Sequence, residues 1–490
     1  MAVGFLIIDG SLTDDAYLTL VYARNVATNL HWGVISGAVA NTATSPLNVG
    51  LIAAVAALTR VSGRAHVVFA LGAETVGLAM VFAWGWLRVV DRLCLPLAVA
   101  GVGVAVALAN PLFLSSIGLE VALVSTALIL VLAMALEGRP AWFGVVSGLG
   151  ILARPDVAVF AVLVGVATPA VRRGWRRAIW GTLCVTAPWM LFSWFYFGSA
   201  VPDSLVLKTS GPQFGAWTYA LGPVMYLRER PLAVLFALIP AVVGLLSLST
   251  WLAARATARG PQRDALRRRD PVAALGAGGL LYYGLYSSLN PNPYHWYYLA
   301  PTIALSACFV LMTGRSVASR ARATSGLQIA SVAVGAPLVL GALAVDAGQG
   351  LPWKEPVIST NRARPEDYAR VGRELRARVG SAPVEFRPGE TGTIAYYCRC
   401  RIQDDYSDRG LVIQTIRARA QRAPAIEKVI YELNYLWLDE RQRPRPFDYR
   451  LYYHFGPARS PATWGVWSSW TGAGHLTLER PTRRLGNKAR

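Results

Sequence analysis

Apolar runs of membrane-spanning character recur along the first 346 residues of the chain. They predict helical spans at 65–87, 93–109, 119–136, 141–153, 157–170, 178–197, 231–252, 271–289, 297–313 and 326–346. Leu47 to Val61 is equally apolar but has only 15 residues. As a helix it measures about 22 Å against a hydrocarbon core of ~30 Å, so it reads as an interfacial helix. Met1 to Ile8 is too short to cross and lacks the basic start of a signal peptide; it reads as the last turns of a first helix whose beginning is missing. Residues 9–48 are polar and turn-rich, with an amphipathic stretch from Ala16 to Leu30. After residue 346 the pattern changes to that of a water-exposed unit. Pro365 to Val379 predicts a charged helix, with capping at Asn361 or by its acidic first turn, and Ala425 to Leu438 a second helix. Val384 to Phe386, Thr393 to Cys400 and Leu476 to Glu479 predict strands. The expected architecture is an all-α polytopic membrane domain, 1–346, followed by a small α+β domain, 347–490. No internal repeat is visible, which weighs against transporter folds built from inverted repeats.

Charge fixes an expected orientation. The net charge is +20 and charged residues are only 16% of 490. Basic residues concentrate in the short loops 88–92, 137–140, 171–177 (VRRGWRR), 253–270 and 314–325, the pattern of cytoplasmic loops facing anionic lipid rather than of a nucleic-acid binder. The loop count closes only if 47–61 does not cross. Loop 9–48, Asn110 to Glu120, Arg154 to Asp156, Ser199 to Arg230, Asn290 to Trp296 and the tail then share the outer face. Lysine occurs only at 208, 354, 428 and 488, and an Arg-, Ala- and Gly-rich chain of this kind points to a GC-rich bacterial genome. Cys94, Cys184 and Cys308 fall in apolar runs as packing residues. Cys398 and Cys400 share one face of the expected strand, where a direct bridge is strained, and no zinc spacing is present.

The candidates for chemistry lie on that outer face. Asp14 and Asp15 are adjacent carboxylates at a membrane boundary. A carboxylate here acts as a general base or holds a divalent cation, or Thr13 or Asp14 caps the helix beginning near Ala16; both hold if one carboxylate caps and the other works. Glu120 is an acid at the start of a span, functional or a helix cap. Arg154 interrupts two short spans at a Pro and binds a phosphate or pairs with Asp156. Lys208, the single lysine before residue 354, is a candidate phosphate ligand. In the stretch Asn290 to Tyr298, Tyr294 and Trp296 suit an aromatic belt, and His295 suits a phosphate or sugar contact. Trp464, Trp467 and Trp470 are able to stack on sugar rings, but spaced three apart among turn residues they better suit a core or interface; Asp404 and Asp405 suit a structural loop. No P-loop or Gly-rich dinucleotide motif is present.

Four patches make the chain resemble the GT-C glycosyltransferases: DDAYLTLVYARN (Asp14 to Asn25), SPLNVGLIAAVAAL (Ser45 to Leu58), GLEVAL with GLGILARPD (ending at Asp156), and VPDSLVLK (ending at Lys208). The tail patch GETGTIAYYCRCRIQDDYSDRG, 389–410, is similar to the small outer domain of the same group. The bacterial arabinofuranosyltransferases are the subgroup suggested. The resemblance implies a GT-C membrane domain of roughly ten or eleven spans, an outer catalytic loop at 9–48 and an extracytoplasmic tail. It implies transfer of a sugar from a polyprenyl-phosphate donor to a cell-envelope glycan hydroxyl, at the outer face of a bacterial plasma membrane. Asp14 or Asp15 would be the base. Arg24, Glu120, Arg154, Lys208, Tyr294, His295 and Trp296 would contact substrate. Relatives often carry an arginine before the aromatics of the PYHWYYLAP loop, so His295 stands where that phosphate contact is expected. No cofactor is required beyond a possible divalent cation at Asp14 and Asp15. A lipid-linked-sugar transporter or flippase, or a non-catalytic cell-wall scaffold, would share the apolar pattern without needing the acidic pair.

Overall fold

The computed structural model describes residues 1–61, 63–209, 214–313, 330–387, 389–457 and 463–481. The expected basic loop 314–325 lies outside them. Helices stand where the apolar runs predict spans: Val67–Arg92, Leu97–Leu108, Val121–Leu136, Pro140–Ala153, Val157–Ala167, Trp175–Phe192, Pro231–Thr257, Asp270–Leu289, Leu299–Thr313 and Ala330–Ala347. Several of these helices are long and apolar enough to cross a membrane, and the chain is a multi-pass membrane protein. Val121–Leu136 and Leu299–Thr313 are apolar on all sides and nearly wholly buried, so they form the centre of the bundle. Small residues let the helices approach closely: a Cβ on Gly244 would stand 1.8 Å from the Leu305 carbonyl oxygen.

The interfacial stretch forms the helix Pro46–Leu58, whose N-cap Ser45 accepts a hydrogen bond from the Asn48 amide at 3.2 Å. It packs between the helix Asp14–Asn29 and the span Val67–Arg92.

The tail carries a five-stranded sheet: β1 (Val384–Phe386), β2 (Ile402–Gln403), β3 (Tyr449–Phe455), β4 (Thr463–Ser468) and β5 (Gly472–Glu479), in the order β2-β1-β3-β5-β4. β1 runs parallel to β2 and β3, and β5 pairs antiparallel with β3 and β4. The helix Pro365–Val379 forms over its expected range. Its N-cap is Arg364, without a side-chain cap bond, and Glu366 and Asp367 occupy the first turn; Asn361 instead accepts from the Thr13 hydroxyl at 3.2 Å. The second helix is Ala425–Asn434.

One expectation is overturned. Thr393 to Cys400 is not a strand: Thr393 to Cys398 lie in a helix, Gly392–Cys398, closed by Arg399 in the left-handed conformation (φ 51°). The run is rich in β-favouring residues, but its first amides donate to a carboxylate far away in sequence, and that tertiary contact overrides propensity. Leaving the strand geometry also brings Cys398 and Cys400 into a disulfide, with Cα atoms 5.1 Å apart.

Candidate active site

Asp14 and Asp15 open the helix Asp14–Asn29. Successive residues on a helix point about 100° apart, so the two side chains meet different surroundings. Asp14 is buried, and its two oxygens accept from the amides of Gly392 (2.9 Å) and Thr393 (2.8 Å). The approach is tight: a Cβ on Gly392 would lie 2.1 Å from the Asp14 carbonyl oxygen. Burial pushes the Asp14 carboxyl up to about 6, against the opposing pull of these amide bonds. Asp14 therefore caps a helix, as one reading of the sequence allowed, but a helix of the tail rather than its own.

Asp15 faces the other way and keeps a third of its side chain exposed. Its Oδ2 accepts from the Lys208 ammonium at 2.8 Å. Lys208 ends the short helix Ser204–Lys208 and is itself buried. Burial is the largest single influence and disfavours the ammonium, but the charge and hydrogen bond of Asp15, together with Tyr297 and Tyr294, outweigh it and hold the pKa above the ordinary lysine value. The ammonium also stands 5.7 Å from the ring centroid of Tyr294 and 5.3 Å from that of Trp296. Those two rings stack on one another at 4.6 Å.

Two small cavities, of about 90 and about 20 Å³, share Asp15, Leu18, Trp296 and Tyr406 in their walls. The smaller adds Glu120 and Lys208. The larger adds Tyr294, Asn361, Glu390 and Trp470. Larger hollows elsewhere are lined by apolar helix faces or by the helices at 409–434 and include none of the sequence-derived site residues.

Arg154 stands behind this site rather than in it. It is buried, pairs with Asp156 and with Glu120 (3.3 Å), and donates to the hydroxyls of Tyr282 (3.0 Å) and Tyr286 (2.9 Å). Tyr286 also donates to Asp156. The ion-pair alternative for Arg154 is the one observed, with Glu120 linking the network to the cavity wall. Arg24 and His295 are not brought to the cavities. Arg24 donates to the Tyr396 carbonyl at 2.9 Å and lies over that ring. His295 is fully buried, its Nε2 3.4 Å from the Ser115 carbonyl oxygen.

Glu390 escaped the sequence reading. Its carboxylate accepts from the Arg362 amide (2.8 Å) and the Tyr368 hydroxyl (2.7 Å). Burial, reinforced by the nearby charge of Asp14, pushes it up to about 7. The only sequence sign was its place in the patch GETGT, whose function-bearing residue could not be singled out. Asp404 is structural, accepting from the Tyr406 and Ser407 amides and from the Thr391 hydroxyl.

The donor set does not suit a divalent cation at Asp14 and Asp15. Asp14 faces two amides, Asp15 faces an ammonium, and among the described residues no three metal-binding side chains converge.

No protein-family model and no curated protein matches the sequence. Solved structures do match the fold. ArnT from Cupriavidus metallidurans in the apo state is 12% identical, with a TM-score of 0.57 over 97% of this chain and 95% of that one. The same protein bound to undecaprenyl phosphate is 13% identical, with a TM-score of 0.55 over 99% and 97%. The apo oligosaccharyltransferase of Archaeoglobus fulgidus is 9% identical, with a TM-score of 0.55 over 90% of this chain and 66% of that one. The chain thus has the GT-C fold, a polytopic helical domain joined to a small α+β unit.

Proposed function

We propose that this chain is an integral-membrane glycosyltransferase that moves a sugar from a polyprenyl-phosphate donor to a hydroxyl of a cell-envelope glycan. The pairing of Asp15 with Lys208 beside two cavities, the smaller walled by Trp296 and the larger by Trp296 and its stacking partner Tyr294, carries the reading. Two of the structures sharing the fold are described with a polyprenyl-type phosphate, undecaprenyl phosphate in one and dolichol-phosphate in the other, which supports the donor class. The resemblance of the sequence to arabinofuranosyltransferases favours arabinofuranose as the sugar. Loop basicity favours an outer-face site in a bacterial plasma membrane, with the tail 347–490 extracytoplasmic.

In this mechanism the donor phosphate takes over Lys208, and Asp15 is released from its ion pair. The bond between the anomeric carbon and the phosphate oxygen breaks. Negative charge grows on that oxygen, where the ammonium stabilises it. The acceptor oxygen bonds to the anomeric carbon and its proton passes to Asp15. Polyprenyl phosphate leaves. Trp296, Tyr294 and Trp470 offer apolar ring faces to the sugar. Asp14 stays with Gly392 and Thr393 and takes no part in proton transfer, and no step passes through a metal.

The test is transfer by the purified chain in proteoliposomes, supplied with decaprenyl-phosphate-linked pentose and an arabinan acceptor. A new glycosidic bond, lost in Asp15→Asn, is the expected result. Movement of intact donor across the bilayer with no new bond would replace this reading with a flippase.

A further inference from the structure

The helix Ala425–Asn434 and the turn after it leave an apolar stripe uncovered. Val429, Ile430, Leu433, Leu436 and Trp437 recur at helical spacing and all are exposed. On the opposite side, Tyr431, Tyr435 and Leu438 pack against the helix Arg409–Arg422. Lys428 and Glu432 lie on the flank between the two faces, 3.9 Å apart.

The stripe has a definite neighbour. The helix Trp175–Phe192 runs on into a π-helical turn, Ser193–Phe197, at the end of a membrane-crossing segment. Phe195 and Tyr196 of that turn are exposed, as lipid-facing rings at a span end are. The Trp437 ring is 5.7 Å from that of Phe195, and the Trp194 indole donates to the Leu433 carbonyl at 2.9 Å. Gly198 makes the junction possible. Its φ is +73°, and a Cβ there would stand 2.6 Å from the Trp437 carbonyl oxygen. The uncovered stripe therefore continues the lipid-facing surface of the span.

We propose that Ala425–Asn434, with the turn to Trp437, is an interfacial membrane helix whose stripe enters the lipid boundary. Such helices bury their apolar face about 5–10 Å into the headgroup and acyl region. Lys428 and Glu432 stay in the headgroup layer. The anchored unit also reaches the candidate site. Val412, Ile413 and Ile416, packed beneath it, hold Val206 and Leu207, the residues leading to Lys208. This inference rests on the membrane-spanning fold and is independent of the glycosyltransferase reading.

The test uses the full chain in phosphatidylethanolamine–phosphatidylglycerol nanodiscs, with Cys94→Ala, Cys184→Ala and Cys308→Ala as background. Nitroxide labels are placed by Ile430→Cys, Leu433→Cys and, for contrast, Lys428→Cys. Collision with oxygen should dominate at 430 and 433, and collision with a water-soluble nickel chelate at 428. Chelate access at 430 and 433 equal to that at 428 would overturn the proposal. So would shielding of both positions from both reagents, which would indicate a protein partner. Val429→Cys repeats the reading if one of the first two variants fails to fold.

Discussion

Lys208 and Asp15, 193 residues apart in sequence, hold each other at 2.8 Å. The carboxylate helps keep the Lys208 ammonium charged, and the contact orients both side chains; in the proposed mechanism a substrate separates them. The two halves of the pair should therefore fail differently. Asp15→Asn removes the proton acceptor and should lower kcat by roughly 10²–10⁴-fold, with little change in donor KM. Lys208→Met removes the phosphate contact and should raise donor KM as well as lower kcat. Initial rates over a range of donor concentrations separate the two. Identical kinetic defects would mean that the pair acts only as a structural tie.

Three carboxyls shielded from water near where the tail meets the helix Asp14–Asn29 should make stability depend on pH. Glu390 is raised from an ordinary 4.5 to about 7, and Asp14 and Asp404 are each raised from 3.8 to about 6, burial being the main cause in all three. An acid whose folded value is raised binds its proton more tightly when folded. Its contribution is complete below the unfolded value and drains away as pH climbs through the folded one. Thermal unfolding should therefore fall in temperature from about pH 4 to about pH 7. Glu390→Gln, which copies the protonated form, should flatten the upper part of that slope. A variant as steep as the parent between pH 5 and 7.5 would exclude Glu390 as the source.

Arg154 is held by Asp156, Glu120, Tyr282 and Tyr286. Arg154→Leu leaves the buried Glu120 and the largely buried Asp156 without their cation, and should cost about 3–5 kcal/mol. Combining it with Asp156→Leu and Glu120→Gln should recover part of that loss, because the stranded charges go with it. Melting curves of the purified protein read both effects. A single variant as stable as the parent would show that the network is not needed to fold this part of the bundle.

The membrane helices were legible because lipid imposes a long, one-dimensional apolar signal. A dozen or more uninterrupted apolar residues need no knowledge of partners. The tail was partly legible for a similar reason: the periodicity of Pro365 to Val379 and the apolar alternation of Leu476 to Glu479 are local. What escaped was what depends on distant residues. Thr393 to Cys400 has strand-like composition, and only the Asp14 carboxylate turns its start into a helix N-terminus. The division of labour between Asp14 and Asp15 is invisible in a dipeptide of identical residues, since it depends on Gly392 for one and Lys208 for the other. Glu390 looked like any loop acid until Tyr368 and the Arg362 amide closed around it. His295 looked like a ligand because the sequence does not show that Trp296 and Tyr294, rather than the imidazole, border the cavity.

The contact between Asp14 and Gly392 spans 378 residues. Ribosomes deliver the chain from its N-terminus, so the membrane helices are complete long before Gly392 exists. Until then the Asp14 carboxylate has no amides to receive it, and the first turn of its helix is not locked. The cavity that Asp15 shares with Glu390 and Trp470 likewise has no far wall. A chain that stops ahead of the tail therefore lacks both the amides that receive Asp14 and the far wall of the cavity beside Asp15.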